Sequence, residues 1–68
     1  MASYLVHMIG QRQPINLDLP FSDIEDLMAE ASYAKFLVGH LTAADENGIF
    51  QRVMISTYRI ECVVGPTD

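Results

Sequence analysis

Tyr4-Leu5-Val6-His7-Met8-Ile9 reads as a β-strand with almost no polar face. Phe36-Leu37-Val38-Gly39-His40-Leu41 and Ile60-Glu61-Cys62-Val63-Val64 repeat the pattern. A strand with one face in water alternates apolar and polar residues, so a strand apolar on both sides needs cover on both sides. The remaining sequence offers one helical segment, and one helix covers one face of a sheet. The second face then needs closure of the sheet or another molecule.

On either side of these strands the punctuation is clear. The first strand runs from Tyr4 to Ile9 and ends at the turn Gly10-Gln11-Arg12-Gln13. Pro14 opens a second strand, where a missing amide donor is tolerated. In Ile15-Asn16-Leu17-Asp18-Leu19 the alternation is clean, which predicts a solvated face and an edge position. The short link makes the two strands a hairpin. Ser22-Asp23-Ile24-Glu25 fits a capping box, with Ser22 as the cap. Ile24, Leu27, Met28 and Ala31 then recur at helical spacing, predicting a helix over 23–32 with one apolar stripe. Burial of Ile24, Leu27 and Met28 against a sheet would contribute about 5–9 kcal/mol gross.

A third strand follows over 35–42, and Gly39 within it signals a bulge, a bend or a close backbone approach. Asn47-Gly48 marks a turn. The fourth strand is expected over 49–55, a short turn at Ser56-Thr57-Tyr58, a fifth strand over 59–64, and a frayed tail over 65–68. The order ββαβββ defines a single α+β domain spanning 1–68. Its expected form is a curved antiparallel sheet with one helix on one face, the last three strands forming a meander. The alternative is a partly closed small β-barrel with the helix as a plug.

Composition narrows the function classes. A chain of 68 residues that is 50% hydrophobic lies near the apolar end of the usual range. Small domains commonly draw extra stability from disulfides, metals or oligomerisation. The single cysteine, Cys62, excludes an internal disulfide, and no His/Cys cluster has zinc spacing. Oligomerisation is left. A net charge of −5, with Arg12, Lys35, Arg52 and Arg59 scattered along the chain, argues against nucleic acid and anionic membranes. No apolar run approaches the roughly 20 residues that cross a bilayer. The start lacks the basic residues of a signal peptide, so a cytoplasmic location is expected.

Candidate chemistry is sparse. His7 and His40 sit in different strands; if those strands paired, the imidazoles would approach each other, although two ligands fall short of a metal set. Cys62 reads as a small buried hydrophobe rather than a nucleophile. Asp23, Glu25, Asp26 and Glu30 form a solvated helix face that could meet a cation or a basic partner. Asp45-Glu46-Asn47-Gly48 lacks the ligand spacing of a calcium loop and reads as a turn. Tyr58 and Arg59, in a tight turn, are residue types that often anchor interfaces. Phosphate-binding glycine loops are absent.

The function expected from these residues is a small cytoplasmic homo-oligomer, a dimer in its simplest form, serving as a protein-interaction or regulatory module. No catalytic residue, cofactor or metal is assigned. The expected contact surface comprises Tyr4, Val6, Met8, Val38, His40, Tyr58, Arg59 and Val63. One alternative is an accessory subunit of a larger protein complex. Another is a minimal enzyme or small-ligand binder with His7, His40, Tyr58 and Arg59 at a subunit interface.

Overall fold

A computed structural model describes residues 2–65. Five antiparallel strands, β1 (Ala2–Met8), β2 (Ile15–Leu19), β3 (Phe36–Leu41), β4 (Arg52–Ser56) and β5 (Ile60–Val64), form one open sheet. The helix α1 (Ile24–Ala31) lies on one face. The order across the sheet is β4-β3-β2-β1-β5. The fold is therefore a small α+β domain, and the sheet does not close into a barrel.

Two topological expectations are corrected. β2 is the central strand, not an edge. Its alternation reports a face without a covering layer, which a central strand of a one-helix sheet also has. The last three strands are not a meander: β3 and β4 form a hairpin, but β5 crosses to the far side and pairs with β1.

That crossing forces the sheet to curl. Ser56 ends β4 and Ile60 begins β5, so the link spans at most about 14 Å when fully extended. Four strand spacings in a flat sheet come to about 19 Å. The two edges must therefore bend toward each other. A 3-10 turn, Thr57–Arg59, makes the link. Thr57 donates its amide to the Lys35 carbonyl (2.9 Å) and its hydroxyl to the Ala34 carbonyl (2.7 Å). The Ile9 amide donates to the Arg59 carbonyl at 2.7 Å. The turn thus ties the start of β3 to the end of β1.

Gly39 serves the close approach. A Cβ there would lie 2.5 Å from the Asp18 carbonyl oxygen and 2.6 Å from Leu19 Cδ2. The core fills the inner, helix-side face: Tyr4, Val6, Leu17, Leu19, Leu37 and Ile55 from the sheet, and Leu27 from α1. Tyr4 donates its hydroxyl to the Phe21 carbonyl at 3.0 Å, which satisfies its polar end. Burial pushes the Tyr4 phenol pKa above its usual value, and the carboxylates of Asp23 and Asp26 push it the same way.

The helix starts one residue later than its capping signal suggests. Asp23, not Ser22, is the N-cap, and its carboxylate accepts from the Asp26 amide at 2.9 Å. Ser22 instead donates to the Asp26 carboxylate at 2.8 Å. Only Leu27 of the apolar stripe is buried; Ile24 and Met28 remain exposed. The expected burial of three helix side chains is reduced to one, because the curled sheet leaves a gap beside β5. Gly65, placed in the expected frayed tail, packs against the Tyr4 ring; positions 66–68 lie outside the described residues. Among the described residues no helix is long and apolar enough to cross a membrane.

Candidate interaction surfaces

The strand registers sort the expected contact residues onto different surfaces. Tyr4 and Val6 point inward and are fully buried within the chain itself. They cannot meet a partner, because inward positions of β1 alternate as Tyr4, Val6 and Met8 and the helix-side core takes them. Met8 and Val63 are half-buried on the same inner face. Val38 and His40 point outward from β3. Tyr58 and Arg59 are exposed in the 3-10 turn, where Arg59 Nη2 reaches the Ile9 carbonyl at 3.4 Å. The eight residues therefore form no single patch.

Among the described residues, no layer covers the outer face. On β3 and β4, Phe36, Val38 and Met54 are 52%, 40% and 63% exposed, and Val38 and Met54 are direct cross-strand partners. On the other half, Leu5 and Val64 are paired and exposed. Between the two apolar clusters runs a polar row in register: Ser3, Asp18, His40 and Arg52 on β1, β2, β3 and β4. Ser3 donates its hydroxyl to Asp18 at 2.5 Å. His40 Nδ1 is buried and has no hydrogen-bond partner among the described residues.

His7 and His40 do not meet, since β2 separates their strands. Cys62 is exposed rather than buried. The pairing of β5 with β1 shifts register between His7 and Met8, so Ile60 opposes inward Met8 while Cys62 opposes outward His7. Strict alternation would place Ile60, Cys62 and Val64 on one face; the irregularity at Glu61 turns Ile60 inward and Cys62 and Val64 outward. His7 and His40 point outward from separate strands while Tyr58 and Arg59 lie in the 3-10 turn, and among the described residues no group of three or more His, Cys, Asp or Glu is placed to hold a metal ion.

A second surface was less legible. A groove of about 290 Å³ runs between α1 and β5, lined by Ile24, Leu27, Met28, Ala31, Ile60 and Val63, with Thr57 closing one end. A third feature is the loop between β3 and β4. Ile49 and Phe50, expected at the start of the fourth strand, lie outside it and are 55% and 52% exposed. The Asp45 carboxylate is the cause: it accepts from the amides of Asn47 and Ile49, both at 2.9 Å, and from the Gln51 side chain at 2.6 Å. Gly48 completes the loop with φ +78°, a conformation L side chains rarely adopt. The Ile49 amide holds the Asp45 carboxyl below its usual pKa, with the Gln51 side chain and the Asn47 amide acting the same way.

The fold and these surfaces define a small α+β domain with an uncovered sheet face. No family model, no curated protein and no solved structure matches the chain.

Proposed function

We propose that this chain is a protein-interaction module that self-associates, as a dimer in its simplest form, through the outer face of its sheet. The observation that carries the reading is the apolar cluster of Phe36, Val38 and Met54, contiguous across β3 and β4 and left exposed by the described residues. Contiguous exposed apolar surface marks interaction sites, whereas scattered single residues do not. The polar row beside it supports a specific arrangement. It carries an acid, Asp18, and a base, Arg52, two strands apart, so a second copy of the row turned around can set opposite charges against each other. The cytosol is the compartment that suits the exposed thiol of Cys62, because free thiols persist where the environment is reducing.

Size-exclusion chromatography with light scattering, from micromolar to millimolar chain, tests the proposal. The wild type is expected at twice the 7.6 kDa chain mass at the upper end. Val38→Asp and Met54→Glu are expected at the chain mass with unchanged circular dichroism. A wild type that stays at the chain mass throughout would falsify the proposal.

A further inference from the structure

We propose that His40 makes self-association through the outer face pH-sensitive: two copies pair while their imidazoles are neutral and separate as these become charged. The inference rests on the face-to-face reading above and adds its regulation.

The geometry follows from the register. Asp18, His40 and Arg52 are direct neighbours on β2, β3 and β4, with His40 in the middle. Consider a two-fold axis that lies between two stacked faces and runs along β3. It exchanges β2 of one copy with β4 of the other. Asp18 then meets Arg52 of the second copy, twice over, and His40 meets its own mate. An axis running across the strands at this level would set Asp18 on Asp18 and Arg52 on Arg52, which like charges oppose. The axis along β3 also brings Phe36 and Val38 onto their mates, because they share the outward face of that strand with His40. Stacked sheets lie about 10 Å apart, so side chains on the axis reach each other.

Three features oppose a charged His40 in that position. The imidazole of the second copy would carry the same charge beside it. Arg52 already stands on the neighbouring strand. The Nδ1 atom is buried without a partner among the described residues, whereas an imidazolium carries an N–H on both ring nitrogens. A free chain can turn the ring toward water; a ring held between two sheets cannot. The carboxylate opposite His40 is that of Asp18, which accepts from Ser3 of β1 and, in the pair, from Arg52 of the second copy. The acids of α1 lie on the other side of the sheet. In the loop after β3, Asp45 is held by its own loop and Glu46 is exposed. Imidazoles change charge between about pH 5 and pH 8, so the pair forms at the upper end of that window and is lost toward the lower end. Bulk charge acts in the opposite direction. With a pI of about 4.6, the chain loses net negative charge as pH falls, and the repulsion between copies falls with it.

The test is size-exclusion chromatography with light scattering on the full chain at about pH 8 and about pH 5.5, on either side of histidine titration. Wild-type association is expected to be at least about tenfold weaker at the lower pH. His40→Gln keeps a polar, uncharged side chain and is expected to associate equally at both. His7→Gln lies on β1, two strands from the axis, and is expected to keep the wild-type dependence. NMR of the wild-type imidazoles needs no substitution: the titration of His40 is expected to move to lower pH as protein concentration rises, and that of His7 to stay in place. Association at pH 8 that is equal or tighter at pH 5.5 would overturn the inference and leave the reading of the face intact. So would a His40 titration independent of concentration, or a folded His40→Gln that keeps the pH dependence. A wild type that fails to associate at pH 8 removes the reading and the inference together.

Discussion

Three single residues carry more of this fold than their size suggests. Gly39 allows β3 to lie close beside β2 where the Asp18 carbonyl and Leu19 leave no room for a Cβ. Because one of the two blocking groups is backbone, the strand itself must move to admit a methyl group. Gly39→Ala is expected to cost about 1–3 kcal/mol, read as a lower urea midpoint with an unchanged slope. Asp23 caps α1 through the Asp26 amide. Asp23→Ala removes that acceptor at an expected cost of about 1 kcal/mol, measured in the same way. Asp45 organises its loop, and its pKa is lowered on folding. A carboxylate depressed on folding stabilises above its unfolded value, about 3.9, and loses that contribution as pH falls through the folded value. The amides of Asn47 and Ile49 are therefore expected to shift together in an NMR titration below pH 4. Asp45→Ala should place them at the acid-limit positions even at neutral pH.

Among the elements, the link between β4 and β5 decides the shape of the sheet. The Thr57 hydroxyl meets two carbonyls, of Ala34 and Lys35, at 2.7 and 3.0 Å. Thr57→Val keeps the volume and removes the donor. The expected loss is about 1–2 kcal/mol, accompanied by faster amide exchange in Ile60 and Val63 as the β5 edge loosens. The sequence pattern predicted the existence and order of all five strands and the helix, because each is a local matter of periodicity and punctuation. The short links also gave the β1–β2 and β3–β4 hairpins; what the pattern could not supply is that β5 pairs with β1 and β2 with β3. Thr57–Arg59 reads as an ordinary tight turn, yet it carries the chain from one edge of the sheet to the other. That choice depends on curvature, a property of the whole sheet. For the same reason Tyr4 and Val6 read as contact residues: alternation separates the two faces of a strand but does not say which the helix covers. The groove escaped as well. A four-residue stripe on α1 looked like core, and only the gap beside β5 shows that most of it stays accessible.

For the molecule as a whole, the two sides of the sheet make separable contributions to stability and to association. Leu27 is 4% exposed and belongs to the inner core. Leu27→Ala is expected to destabilise the protomer by about 2–5 kcal/mol, and an acid at the same position should unfold it. Met54 lies on the outer face, 63% exposed and opposite Val38. Met54→Glu in an isolated chain should change stability by no more than about 0.5 kcal/mol. In an associating protein the same substitution has a different signature, because a partner that binds only the folded chain raises the melting temperature with concentration. Unfolding entropy is about 2.1 cal/mol/K per residue, which for two copies of a 68-residue chain gives a rise of about 5 °C per tenfold increase in concentration when dissociation and unfolding are one step. Differential scanning calorimetry across a hundredfold range of protein concentration reads this directly. The wild-type Tm is expected to climb, and that of Met54→Glu to stay flat while matching the wild type at the dilute end. A wild-type Tm independent of concentration would mean that the outer face meets water in solution, and that its apolar cluster serves some partner other than a second copy.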